Sequence, residues 1–419
     1  MSDEKLKLGD LSRPPKKEEE TKTSLSWLKD GGANAVFNGV SEVPSDDDIR
    51  ELIVRVGRDP EDFVWDIVSV SWNSAAWHRS FEVAAEAKAH TAYTKPSCVV
   101  KIRIQPKVES DSFLESSTRE DVEQLLRDIV KRKPSKVVAP TGNRSFLVCL
   151  SDWQIGKGEG GGSEATIERI LAVRDAAVRR FKELVKVGRS PDTVYLIGIG
   201  DLIESCSNFY AMQEFQTDLN LRDQIRVARR LILAFIDAFV DLGVSVVSTG
   251  VGGNHGEASR NKDGKAYTDF KDNQDVAVFE TISEIIAQNP ERYKNVSMPL
   301  DAMDDEDLIL CLEMSGVKVA FAHGHQFKNG VNSQAKIENW WQKQALGRTG
   351  VSDAQILVTG HFHHFVASEA TGRTILQVPA LDGGSLWFKV TSGQSSPPGL
   401  LTLCVGDIYA RGYGDLAIL

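Results

Sequence analysis

From residue 145 onward the chain alternates short runs of Val, Ile and Leu with longer amphipathic stretches, and five of the short runs lead into residues able to hold a cation. Phe146–Leu150 enters Ser-Asp-Trp-Gln at 151–154, Thr193–Ile199 enters Gly-Asp-Leu-Ile-Glu at 200–204, and Val244–Ser248 leads toward Gly-Asn-His at 253–255. Val317–Ala322 stops at His323, and Ile356–Thr359 enters Gly-His-Phe-His at 360–363. Apolar runs of this length read as buried strands. Between them, Ile167, Ile170, Leu171, Ala177, Phe181 and Leu184 form one helix face, Ile225, Ala228, Ile232, Phe235, Ile236 and Phe239 a second, and Val276–Ile286 a third helix. Later strand-like runs, Leu308–Leu312, Thr374–Val378 and Leu400–Val405, have less helix between them. Early β-α-β units followed by a strand-rich half predict an α/β fold of two stacked mixed sheets flanked by helices. In such sheets ligands gather outside the carboxyl ends of the strands. The five endings are therefore expected to converge on one crevice, which we read as a two-metal site.

The N-terminal third reads differently. Residues 1–33 are charged and poor in apolar residues, which predicts a disordered tail. Residues 34–110 read as a small α+β module, for which a winged-helix-like arrangement is one option. Ser45 caps a helix carrying Ile49, Leu52, Ile53 and Val56, and alternation predicts strands at Val68–Trp72 and Val100–Ile104, with a helix over Ala75–His90 between them. Trp65, Trp72, Trp77, His78 and His90 read as core aromatics and satisfied or exposed histidines. In 111–144, Ser117–Glu120 is a capping box opening a helix with Leu125, Leu126 and Ile129 on one face, followed by a basic linker at Lys131, Arg132, Lys133 and Lys136. Residues 145–419 read as the second and larger domain.

Composition narrows the classes. The longest apolar runs are broken by charge before the roughly 18 residues a membrane span needs, and Met-Ser-Asp-Glu-Lys-Leu-Lys lacks a signal peptide's apolar core. A cytoplasmic protein without membrane contact is expected. Cysteines at 98, 149, 206, 311 and 404 have no close pair, so neither a disulfide framework nor a thiolate zinc site is indicated. A net charge of −10 argues against a whole-surface footprint for nucleic acid. Two bound divalent cations would invert the field locally.

Side chains two apart on a strand point the same way, so Asp152 and Gln154 can face one cation, as can His361 and His363. Asp201 offers a carboxylate able to bridge two cations, Asn254 a carbonyl oxygen and His323 an imidazole. Oxygen and imidazole donors without thiolate suit Mn, Fe, Zn or Mg at a catalytic centre better than a structural zinc. Two such ions can hold a bridging hydroxide and polarise a phosphoryl oxygen, which is what phosphoester hydrolysis requires. His255, left over from coordination, is the candidate to contact the phosphate or protonate the leaving group. Taken singly, each motif also fits an ordinary turn or a structural histidine, and His325 and His364 read as structural or supporting. The glycines at 156, 158 and 160–162 match neither a P-loop nor a dinucleotide fingerprint.

Residues 145–405 resemble the calcineurin-like metallophosphoesterases, with their ordered Asp-x-His, Gly-Asp-x-x-(Asp/Glu), Gly-Asn-His-(Asp/Glu), strand-end His and Gly-His-x-His. The resemblance implies a β-sandwich flanked by helices, with Asp152, Gln154, Asp201 and His363 holding one metal. Asp201, Asn254, His323 and His361 would hold the other, Mn being the expected ion, and His255 would be catalytic. Two positions depart from the pattern: Gln154 stands where His is usual, and Gly256 where an acidic residue often follows. Within the family the chain is most similar to phage and bacterial phosphoesterases related to the nuclease subunit of SbcCD-type DNA-repair complexes, on the strength of Gly-Asp-Leu-Ile-Glu and Trp340-Trp341. The reading is of a DNA nuclease whose polyanion contacts include Arg260, Lys262 and Lys328, with Lys265 and Lys336 nearby and the tryptophans as a stacking platform. A phosphomonoesterase or small-nucleotide phosphodiesterase is the alternative, and a non-catalytic nucleic-acid-binding module the third. A homodimer or a partner ATPase is compatible with the sequence but unmarked in it.

Overall fold

In the computed structural model of the protein the described residues are 22–27, 33–40, 42–84, 87–106, 110–119, 122–138, 142–206, 213–258, 272–304, 308–328, 330–347, 349–384, 390 and 396–419. They divide into two compact units, Met1–Glu109 and Ser110–Leu419. Among the described residues no helix is long and apolar enough to cross a membrane.

The first unit is an antiparallel sheet of β1 (Lys22–Trp27), β2 (Ala33–Val40), β3 (Phe63–Ala84) and β4 (Ala87–Pro106) in the order β1-β2-β4-β3, with one helix, α1 (Asp46–Arg55). Ser45 caps α1 as expected: its hydroxyl accepts from the Asp48 amide, and the Asp48 carboxylate accepts from the Ser45 amide in return. Ile49 and Ile53 pack with Ala33, Ala35, Val100, Ile102 and Ile104 in a small closed core. Two expectations are corrected here. The predicted tail of 1–33 contains strand β1, and the predicted helix over Ala75–His90 is instead the far end of the β3/β4 hairpin, where Trp77 pairs with Tyr93 and Ser80 with His90. Alanine-rich sequence reads as helix locally, but a ladder begun at Phe63 and Pro106 extends pairing outward and overrides that weak preference.

The second unit begins with α2 (Ser110–Arg119) and α3 (Val122–Lys131), so Ser117 lies buried inside a helix and does not cap one. Next come β5 (Ser145–Leu150), α4 (Gly162–Lys186), β6 (Thr193–Gly198), α5 (Leu221–Val240), β7 (Ser245–Gly250), α6 (Gln274–Ile286) and β8 (Val296–Ser297). These four strands run parallel. The chain then builds a second sheet from β9 (Met303–Asp304), β10 (Ile309–Met314), β11 (Val317–Ala322), β12 (Ile356–Thr359), β13 (Val366–Ala370) and β14 (Arg373–Gln377), with α7 (Ser333–Gly347) crossing between β11 and β12. Finally β15 (Leu401–Val405) and β16 (Tyr413–Ile418) return to the first sheet, β15 antiparallel to β5. The two six-stranded orders are β16-β15-β5-β6-β7-β8 and β13-β14-β12-β11-β10-β9.

Strand alternation sorts the core into layers. In β5, Phe146, Val148 and Leu150 face the core shared with α3, α4, α5 and α6, while Leu147 and Cys149 join Ile197, Val319, Phe321, Val358 and Leu403 between the sheets. In the second sheet Ala320, Ala322 and Leu357 face outward to Ile337 and Trp341 of α7. The expected architecture, two stacked mixed sheets with helices outside, is the one observed.

Candidate metal centre

The carboxyl ends of β5, β6 and β7 in one sheet and of β11 and β12 in the other meet at one edge of the sandwich. Backbone hydrogen bonds lace their loops together: Asp152 N donates to Gly200 O (3.1 Å), Gln154 N to Asp201 O (3.0 Å) and Gly360 N to His323 O (2.9 Å). Of the residues these turns present, Asp152, Gln154, Asp201 and His363 sit on left-handed backbone at φ of 50°, 44°, 54° and 58°, as does His361 at 68°. Such backbone costs a residue with a side chain roughly 1 kcal/mol or more. Strain repeated at five side chains that face one another is held in place for what they do together.

Every proposed donor is brought to this crevice. Asp201, His323 and His361 each offer an atom within 4.8 Å of the others. His323 Nε2 lies 3.0 Å from Asp201 Oδ2 and 3.2 Å from Asn254 Oδ1, and its Nδ1 donates to Ile199 O at 2.7 Å. On the other side, His363 Nε2 lies 3.2 Å from Asp152 Oδ1, and the His361 amide donates to the same carboxylate at 3.1 Å. Donors around a cation with bonds of about 2.1 Å lie roughly 3.0 to 3.5 Å apart, which is the spacing of His323 to Asp201 and Asn254 on one side and of His363 to Asp152 on the other. Asp152, Asp201 and His323 are buried at the base, while His255, His361 and His363 are only partly covered.

The charges compensate one another. Burial alone would raise Asp201, but the imidazoles of His323, His255 and His361 hold it well below the usual carboxylate range. Burial would lower His323, yet the Asp201 carboxylate pushes it up to about 9. His361 is pushed down to about 4 by burial and by the neighbouring His323. His363 is raised against burial by Asp152 and Asp382.

Four supporting residues carried no role in the sequence reading. Asp275, in the first turn of α6, accepts from the amides of Asp201 (2.9 Å), Leu202 (3.1 Å) and Gly253 (2.9 Å), tying two of the loops to one carboxylate. A Cβ on Gly256 would stand 2.6 Å from Asp275 Oδ2 and 2.3 Å from Asn273 Oδ1. Asn273 and Asp275 thus occupy the space a side chain at 256 would need, and glycine there makes room for them. Glu204 holds His255, whose Nδ1 lies 2.8 Å from Glu204 O and 3.5 Å from Glu204 Oε2. Asp382 lies 3.5 Å from His363 Nδ1 and, with Lys157, closes the outer side of the site. Glu204 closes the strand-end motif Gly-Asp-Leu-Ile-Glu, whereas Asp275, Asp382 and Lys157 follow from no such pattern; the only trace of Asp275 is its place directly before the apolar positions of a capped helix.

Arg260, Lys262, Lys265 and Lys271 lie outside the described residues. Lys328 is exposed just past Phe327, and Lys336 Nζ sits 6.0 Å from the ring centre of Phe362. Trp341 is core, donating to Val351 O at 3.2 Å, and Trp340 packs on Phe327 at 4.6 Å, so the pair belongs to the apolar layer under α7 and is no stacking platform.

No family model and no curated protein matches the chain. Among solved structures, a predicted phosphoesterase from Streptococcus pneumoniae is 14% identical, covering 63% of this chain and 84% of its own, at a TM-score of 0.26. An archaeal phosphodiesterase is 14% identical over 65% of this chain and 99% of its own, at a TM-score of 0.30. Vacuolar protein sorting 29 from Cryptosporidium parvum is 15% identical over 66% and 97%, at 0.29. The layered architecture therefore rests on the sheets described above.

Proposed function

We propose that this chain is a metallophosphoesterase, a divalent-metal-dependent hydrolase of phosphodiesters with DNA as its substrate. The observation that carries the reading is the meeting of Asp201, His323 and His361 within 4.8 Å of one another, drawn from three strand ends of two sheets. Asp152, Gln154, Asp201 and His363 would hold one ion, and Asp201, Asn254, His323 and His361 the other. Divalent ions there supply Lewis acidity toward a phosphoryl oxygen and a more acidic water. The chain's own part is positional and protonic. With Nδ1 donating to Glu204 O, His255 presents Nε2 into the crevice, where it can bind the phosphate and, once protonated, pass a proton to the leaving oxygen. Lys328 and the Lys336–Phe362 pair at the rim suit a polyanion with stackable bases.

The test is a substrate panel with Mn2+: linear duplex, single strand, nucleotides and an activated phosphodiester, on wild type and Asp201→Asn. Oligonucleotides should be cut faster than nucleotides, with activity lost in the variant. No hydrolysis of any diester would refute the reading. A small nucleotide as substrate is the second reading, favoured by the net charge of −10; it predicts the reverse order of rates.

A further inference from the structure

The two halves of the centre are not equivalent. Around Asp201 the donors meet one another, backbone and, among the described residues, the imidazoles of His255 and His325. Around Asp152 a lysine enters: Lys157 Nζ donates to Gln154 Oε1 at 3.0 Å and pairs with the Asp382 carboxylate, its side chain 13% exposed. Asp382 in turn faces His363 Nδ1. The same amide points its nitrogen at His255, with Gln154 Nε2 lying 3.3 Å from His255 Nε2. Donors then run in one sense, from Lys157 to the Gln154 oxygen, from the Gln154 nitrogen to His255 Nε2, and from His255 Nδ1 to Glu204 O. The amide that replaces the usual histidine is thus oriented by an ammonium, with its oxygen already engaged. The glycine run beside it fixes the arrangement. A Cβ on Gly160 would stand 2.3 Å from Gly383 Cα, so only glycine lets the Lys157 loop lie against the Asp382 loop.

Resting on the reading that this crevice takes divalent ions, we infer that Lys157 is a resident counter-cation of the Asp152, Gln154, Asp382 and His363 half. It neutralises that half in the absence of metal and repels a second ion, so the chain binds one divalent ion firmly at Asp201 and a second weakly. Lys157 is a positioning residue here, since it acts through Gln154 and Asp382.

The experiment is calorimetric titration of the chelator-stripped full chain with Mn2+, paired with melting curves with and without the ion. Wild type should bind one ion firmly and a second about a hundredfold more weakly; in Lys157→Met the second should tighten about tenfold or more, as expected for removing a like charge at this range. The metal-free variant should melt lower, with the Asp382 carboxylate deprived of its ammonium partner and left with His363 alone, and should gain more from Mn2+ than wild type does. Lys157→Arg should titrate as wild type, and Lys157→Gln supplies the same comparison if the Met variant does not fold. Two equal sites in wild type, or a second affinity unchanged in the variants, would overturn this inference alone. Failure to bind any Mn2+ would overturn it together with the proposed function.

Discussion

His255 is held at Nδ1 by Glu204 and faces the Gln154 amide with Nε2, and it stands outside the cluster of donors formed by Asp201, His323 and His361. His255→Asn should therefore leave the Mn2+ titration within a small factor of wild type while lowering kcat about 10²-fold to 10⁴-fold. An equal loss of metal affinity would make it a ligand. The base of the site gives a second handle. His323 is raised to about 9 from an unfolded value near 6.5, so its pairing with Asp201 stabilises the metal-free protein fully below about pH 6.5 and is lost as pH rises through 9. The Tm gap between metal-free wild type and His323→Gln should narrow steadily over that interval. A constant gap would show that the proton contributes nothing. His323 was legible in the sequence because it directly follows an apolar run, and His255 because Gly-Asn-His lies a few residues past one. Asp275, Asp382 and Lys157 were not, because a carboxylate that accepts from amides 22 to 74 residues away leaves no local periodicity.

At the scale of elements, the strands and helices after 145 were readable because their apolar periods agree with burial on both faces of each sheet. The hairpin of β3 and β4 was not, since what holds it is register with a distant partner and not its own composition. The turns lay equally beyond reach: left-handed backbone at Asp152, Gln154 and Asp201 is imposed by the loops that interlock around them, and no residue type announces it. Position 256 makes the same point experimentally. Restoring the acidic residue usual after Gly-Asn-His by Gly256→Asp should destabilise the protein by about 1 to 3 kcal/mol, the scale of overpacking, because Asn273 and Asp275 already fill that space. A denaturant midpoint at or above that of wild type would show that α6 yields to the new side chain.

Across the whole molecule the donors come from both layers: Asp152, Gln154, Asp201 and Asn254 follow strands of the first sheet, His323, His361 and His363 strands of the second. Any bound ion joins the two sheets, so packing between them and metal affinity are linked. Phe321→Ala, in the fully buried layer between sheets, should cost about 3 to 5 kcal/mol, and part of the lost Tm should return on adding Mn2+. Equal losses with and without the ion would separate centre from core. The order of the donors along the chain also bears on how the protein is made. Four of the seven leave the ribosome well before the three histidines exist, so ion capture falls late in maturation, and the carboxylates at the ends of β5 and β6 stay uncompensated until those histidines emerge, with β15 and β16 of their own sheet still to follow.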